Sequence, residues 1–217
     1  MGKSLYFLGF LLVINLSTSL SLVGAEEIPT LLMADFNTGD KPNNVGGDFG
    51  SWNYAPTDET QGCWDSFEPT ASTGKEGYSV AMEYDVQSPN PAFCGFWMKL
   101  GGSDVTAYDT LSLWLKGDEK AGATSRFKVE LRNKQGGRAV FTVSGIDSTW
   151  QEFNIPIKRT RSIKDWSKME ELTIVFDDIL ATKKVGKIFL DQVAFKNLGV
   201  EESAPPQEQV PPSPSSE

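Results

Sequence analysis

Between residues 31 and 195, large apolar residues repeatedly alternate with small, polar or charged ones. Residues 78–86 read Tyr-Ser-Val-Ala-Met-Glu-Tyr-Asp-Val, so Tyr78, Val80, Met82, Tyr84 and Val86 share one face of an extended chain. A period of two is the signature of half-buried strands. Residues 110–116 and 126–132 alternate in the same way. Further strand candidates are 31–37, 92–100, 138–143, 152–157, 171–177 and 187–195. Gly101-Gly102, Gly117-Asp118, Gly136-Gly137 and Gly145-Ile146-Asp147 punctuate them. Helical spacing is confined to one short turn around 163–169, and no internal repeat is present. About ten short strands spaced like this predict an all-β chain folded as an antiparallel β-sandwich. Residues 39–64, rich in Gly, Asn and Asp, lack periodicity and read as long loops or a cation-binding loop.

The two ends differ from this middle. Lys3, an apolar run over 5–16 and Val23-Gly24-Ala25 match a signal peptide over residues 1–25, cleaved after Ala25. That predicts a secreted or periplasmic protein with a domain over 28–197. Residues 198–217 are rich in Pro and hold no aromatic. They read as a disordered tail or linker, with a protein partner for the tail as the alternative to a solvated segment.

The formal charge is −9, from 20 basic and 29 acidic residues, and −10 without the first 25. This argues against nucleic acid and anionic membrane surfaces as partners. There is no His in the chain, so no Ser-His-Asp or Cys-His arrangement exists. The adjacent acids Asp177-Asp178 point to opposite faces if extended, and cannot flank one glycosidic bond. The chain therefore reads as non-catalytic. In an exported protein Cys63 and Cys94 are expected to form one disulfide, closing a loop of about 30 residues and contributing about 3–4 kcal/mol.

Asp191 interrupts the apolar run Ile188-Phe189-Leu190-Asp191-Gln192-Val193-Ala194-Phe195. Strict alternation places it on the side of Phe189, Val193 and Phe195, where a carboxylate needs a cation or several donors. Asp35 ends the first candidate strand, and pairing of the first and last strands brings the two acids together. One reading is a shared Ca²⁺ site, to which Asn37, Asp40 and Asp48 could add oxygens; the other is a pair of acids bonded to loop amides.

Along 92–100, Cys94, Phe96, Met98 and Leu100 read as core, while Phe93, Gly95, Trp97 and Lys99 face the other way. Trp52 lies in a polar, Gly-containing stretch that argues for partial exposure. Such rings stack on the C–H faces of sugars, each contributing about 0.5–1.5 kcal/mol beyond area burial. Core packing is the competing reading for Trp97 and Trp114. Arg126, Lys128, Glu130 and Arg132 form a charged ladder that is either solvated surface or one side of a groove.

The stretch 33–195 resembles the galactose-binding-like jelly-roll domains, most closely family 11 carbohydrate-binding modules. The residues that carry the resemblance are Ala34-Asp35-Phe36-Asn37-Thr38-Gly39-Asp40, Gly50-Ser51-Trp52, Phe93-Cys94-Gly95, Leu111-Ser112-Leu113-Trp114-Leu115-Lys116-Gly117, Thr149-Trp150-Gln151-Glu152-Phe153-Asn154-Ile155-Pro156 and Gly186-Lys187-Ile188-Phe189-Leu190-Asp191-Gln192-Val193. It implies a non-catalytic module that binds β-glucan-type chains on a concave sheet, with a structural Ca²⁺ between first and last strands. In that family tyrosines stand at the positions of Trp52 and Phe93 and near Phe176, and a Glu ligand often stands at Asn37. The combined expectation is that Trp52, Phe93, Trp97 and Phe176 stack on sugar while Arg132, Arg138 and Asp177 bond hydroxyls. Asp35, Asn37 and Asp191 are expected to hold the metal. A protein-interaction module of an exported complex is the alternative on the same fold.

Overall fold

Alternating sequence becomes eleven strands in the computed structural model, which describes residues 28–74 and 76–200. In chain order these are β1 (Thr30–Ala34), β2 (Phe49–Asn53), β3 (Gly62–Glu68), β4 (Ser79–Asp85), β5 (Phe93–Ser103) and β6 (Thr110–Gly117). They continue as β7 (Arg126–Asn133), β8 (Arg138–Ser144), β9 (Gln151–Pro156), β10 (Met169–Asp177) and β11 (Val185–Lys196). The signal peptide expected over 1–25 and most of the Pro-rich segment, from 201 onward, lie outside the described residues.

Two antiparallel sheets face each other as a jelly-roll β-sandwich. The first runs β3-β4-β11-β6-β9 with β1 added beside β11, and the second runs β2-β5-β10-β7-β8. The long β11 pairs with β4 through residues 185–190, and β1 then takes up the same edge through 193–196. First and last strands are thus neighbours, as the sequence predicts.

The core lies between the sheets and is built by the alternation. Cys94, Phe96, Met98 and Leu100 of β5, Leu111, Leu113 and Leu115 of β6, and Phe127, Val129 and Leu131 of β7 are all buried in it. Each large side chain of this kind contributes about 1.5–3 kcal/mol when removed from water. Because these positions point inward, the intervening ones of β5, β7 and β10 share the outer face of the second sheet.

Four expectations are corrected. Residues 39–64, read as loops, contain β2 and the start of β3. Gly50 in β2 and Asp65 in β3 break the apolar alternation that would have revealed them; Asp65 turns instead to accept the Ser51 amide at 2.7 Å. The turn expected around 163–169 has no helix; the 3₁₀ helix is Ile157–Arg159, earlier in the chain.

The third correction concerns Asp191. A β-bulge lies between Asp191 and Ala194 in the pairing with β6, and Gln192 adopts a φ of 43°. The extra residue reverses the phase of the strand. Val193 and Phe195 enter the main core, while Phe189 joins Ala71 and Ala81 in a separate small cluster. Asp191 therefore does not share a face with Val193 and Phe195.

The fourth concerns the disulfide expected between Cys63 and Cys94. Both cysteines are free and buried, one on each sheet. They are not joined by a covalent bond, and Cys94 Sγ donates to the Gly62 carbonyl at 3.0 Å. The hydrogen bond with Cys94, and then burial, hold the Cys63 thiol well above its ordinary range.

Candidate functional site

The sequences Gly50-Ser51-Trp52 and Gly95-Phe96-Trp97 run antiparallel on neighbouring strands, with Trp52 opposite Gly95 and Gly50 opposite Trp97. Each indole consequently lies over the other strand's glycine. A Cβ at Gly95 would come 3.0 Å from Trp52 Nε1 and 1.9 Å from the Ile174 carbonyl oxygen, so no side chain fits there. At Gly50 a Cβ would stand 3.7 Å from Trp97 Nε1, an ordinary contact. Trp52 Nε1 is shielded from solvent and has no partner among the described residues, so this side chain presents ring surface rather than its N–H to the groove.

From these two rings a groove of about 820 Å³ extends across the sheet. Register aligns its floor in rows. Trp97 of β5 is followed by Thr173 of β10, Glu130 of β7 and Val140 of β8; the next row holds Lys99, Glu171, Arg132 and Arg138. One flank is thus aromatic and the other charged.

The charges are arranged in pairs. Lys99 meets Glu171 at 2.6 Å, Lys128 meets Asp177 at 2.7 Å, and Arg138 grips both carboxylate oxygens of Glu130. Lys99 also lies 5.8 Å above the Trp97 ring. With Arg132 and Asp178 the lining carries four cations and four carboxylates, and so is neutral within a chain of charge −9. Burial by itself raises the Asp177 carboxyl, but Lys128 and the amides of Leu180 and Ile179 outweigh it and leave the group below its ordinary range.

The structure gathers Trp52, Phe93, Trp97, Arg132, Arg138 and Asp177 into this groove. Phe176 does not belong with them. It is 0% exposed, stacked on Tyr84 at 4.2 Å and edge-on to Phe127 at 5.5 Å. Strand alternation decides this: the neighbours Val175 and Asp177 face the groove, so Phe176 faces the core. Trp114 lies on the other sheet, opposite Asp191 on β11 and Glu152 on β9.

Residues that the sequence did not single out complete the site. Tyr54 stacks on Phe93 with centroids 3.8 Å apart, and Phe93 meets Trp52 edge-on at 6.0 Å. Ile179, 93% exposed, stands at the rim. The doubled Gly-x-Trp pattern was the available signal for a paired aromatic platform.

Asp35 lies near enough to Asp191 for its charge to act on that carboxyl, and Thr73 bonds to Asp191 from a distant loop. Asp191 is 2% exposed and accepts hydrogen bonds from the Thr73 amide and hydroxyl, at 2.8 and 2.9 Å, and from the Gln192 amide at 2.8 Å. Burial, and then the charge of Asp35, nevertheless raise its carboxyl above the ordinary range. The Asn37 amide donates to Asp35 at 3.2 Å, and its side-chain oxygen lies against Gly77, where a Cβ would come within 2.0 Å. Two neighbouring carboxylates with hydroxyl and amide oxygens around them form a donor set suited to a hard cation. The three hydrogen bonds to Asp191 also satisfy the other reading, acids bonded to loop groups. Among the described residues no group of three or more acidic, His or Cys side chains assembles, at this site or elsewhere.

No family model matches the chain, and no curated protein matches its sequence. Solved structures do match its fold. A family 11 carbohydrate-binding module from Clostridium thermocellum, in complex with a β-1,3-1,4-mixed-linked tetrasaccharide, superposes with a TM-score of 0.57 at 15% identity, covering 79% of this chain and 98% of that one. The family 11 module of a cellulosomal cellulase of Clostridium thermocellum gives 0.53 at 17% identity, covering 79% and 95%. An exo-β-agarase gives 0.56 at 10% identity, covering 79% of this chain but only 25% of the enzyme. The chain therefore has the jelly-roll fold of family 11 carbohydrate-binding modules.

Proposed function

We propose that this protein is a non-catalytic carbohydrate-binding module that holds a neutral β-glucan-type chain in the groove of the second sheet. The observation that carries the reading is the reciprocal crossing of Trp52 over Gly95 and Trp97 over Gly50. It sets two indoles side by side at the edge of a charge-balanced floor. Trp52, Trp97 and Phe93 stack on sugar faces. Arg132, with the Lys99–Glu171 and Arg138–Glu130 pairs, offers donors and acceptors to hydroxyls. The mixed-linked ligand of the Clostridium thermocellum module, which shares the fold, supports the choice of sugar class.

A glycosidase reading finds little support in this floor. Glu171, Glu130 and Asp177 are each ion-paired, and Asp177 is held below its ordinary range. A general acid at neutral pH requires the opposite shift.

Asp35, Asn37 and Asp191 are proposed to hold a structural Ca²⁺ that ties β1 to β11 and neutralises the buried carboxylate. Export, with cleavage after Ala25, is part of the same reading and rests on the sequence. A protein partner is favoured by one feature, the nearly fully exposed Ile179 at the rim. Affinity electrophoresis through neutral β-glucans, galactans and xylans tests the choice. Retardation in a β-glucan gel supports the module. Uniform mobility in every polysaccharide, together with capture of a protein that Ile179→Asp abolishes, favours the partner.

A further inference from the structure

A second groove, of about 710 Å³, opens at one end of the sandwich between the segments 106–109, 158–166 and 197–200. It has no residue in common with the sheet groove. Its charge is also different. Among the described residues Lys158, Arg161 and Lys164 line it with one acid, Asp109. That acid is already consumed, because its carboxylate accepts from the Thr110 hydroxyl at 2.7 Å and from the Leu198 and Val200 amides at 3.0 and 2.7 Å. Arg161 and Lys164 make no ion pair among the described residues. Asp104 lies near enough to Lys158 to feel its charge, so the cations that draw an anion here are chiefly Arg161 and Lys164.

The walls narrow the ligand further. Ile163 and Trp166 are 2% and 8% exposed, and Lys158 Nζ lies 4.7 Å over the Trp166 ring. The groove thus offers no open apolar pocket for the anchor side chains by which peptides are usually held. What it does offer, besides the cations, is hydroxyl groups on Thr106, Tyr108 and Thr160. Cations interspersed with hydroxyls suit a chain that carries carboxylates and hydroxyls but no apolar side chains.

We propose that this end groove is a second binding site, for an acidic oligosaccharide bearing uronate carboxylates. It extends the proposed function rather than depending on it, because the two grooves are separate and differ in net charge. A module with both grips a neutral glycan on its sheet and an acidic one at its end.

Calorimetric titration of the full chain with an oligogalacturonate, the matching neutral oligogalactoside and an oligoglutamate of equal charge tests this. The expected result is saturable binding of the uronate at low salt, and weak or no binding of the neutral sugar and the peptide. Arg161→Glu with Lys164→Glu should weaken uronate binding by about tenfold or more, as should physiological salt. Trp97→Ala should leave it unchanged. Both variants are surface or groove changes whose folding is checked by thermal melting. Equal binding of the oligoglutamate overturns the sugar assignment. Insensitivity to the charge reversal, loss on Trp97→Ala, or silence towards the uronate overturns the site.

Discussion

Trp52 lies over Gly95 so closely that a methyl group on the glycine would sit 3.0 Å from the indole nitrogen. The same methyl would also strike the Ile174 carbonyl oxygen at 1.9 Å, a backbone atom that cannot yield. Gly95→Ala is therefore expected to destabilise the fold by about 1–3 kcal/mol, as overpacking does. Gly50→Ala, with its nearest contact at 3.7 Å, should melt within about 0.5 kcal/mol of wild type. Denaturant unfolding of the two variants reads the contrast directly; equal stability contradicts the crossed arrangement.

Phe176 separates packing from ligand contact. Phe176→Ala should cost about 3–5 kcal/mol of stability, the usual consequence of emptying an aromatic core site. The milder Phe176→Leu should keep wild-type glycan affinity. A loss of affinity in folded Phe176→Leu equal to that in Trp97→Ala would return this residue to the binding face.

The Asp177 carboxylate holds the turn that follows β10, accepting the Ile179 and Leu180 amides at 3.0 and 2.7 Å as well as pairing with Lys128. Asp177→Ala leaves those donors unmet and should cost about 1–3 kcal/mol. Lys128→Ala, which removes a side chain that is 40% exposed, should cost less than about 1 kcal/mol. Because the folded carboxyl titrates below its ordinary value, its contribution is present above that ordinary value and is lost as pH falls through the folded one. The stability gap between wild type and Asp177→Ala should accordingly narrow in acid, measured by urea unfolding across pH.

Asp191 has the opposite sign. Its folded carboxyl is raised by burial and then by Asp35, so the stability gained from protonation is complete below the ordinary carboxylate range and lost as pH rises through the folded value. The proposed calcium would offset that loss at neutral pH. Chelation should lower Tm at pH 7 by about 2–4 °C for each kcal/mol of calcium stabilisation. The increment should shrink in acid and vanish in Asp191→Asn. A wild-type melt indifferent to both chelator and added calcium at pH 7 contradicts the metal site.

Cys63 and Cys94 are buried free thiols. Thiol reagents should label neither in the native protein and both after denaturation, and reductant should leave Tm unchanged. A reductant-sensitive Tm would restore the covalent bond.

How much of this was legible depended on whether local pattern decided the outcome. The strand β5 was readable because its inward set, Cys94 to Leu100, is uniformly apolar and its outward set mixed; alternation alone placed Phe93 and Trp97 on the groove side. The strand β2 was not readable, since its outward position Gly50 has no side chain and its role appears only when Trp97 arrives from a neighbouring strand. Asp191 keeps the phase of Phe189 but not that of Val193 and Phe195, because one residue, Gln192 at a φ of 43°, adds a bulge that no hydrophobic pattern records. Its donor Thr73 lies 118 residues away in sequence, a contact that only the fold creates. Phe176 was misplaced by resemblance where strand parity with Asp177 already opposed the assignment. The cysteines were assigned from their expected compartment, which does not determine whether two facing thiols are joined.

The most direct measurement is calorimetric titration of the wild-type chain and a Trp52→Ala, Trp97→Ala double variant with a β-1,3-1,4-linked glucan tetrasaccharide. The predicted result is saturable binding by wild type. The double variant should lose about 2–3 kcal/mol of binding, a fall of roughly thirtyfold or more, while retaining a cooperative melt. No binding by wild type, or equal affinity in the folded double variant, would contradict the assignment of the crossed tryptophans to a glycan.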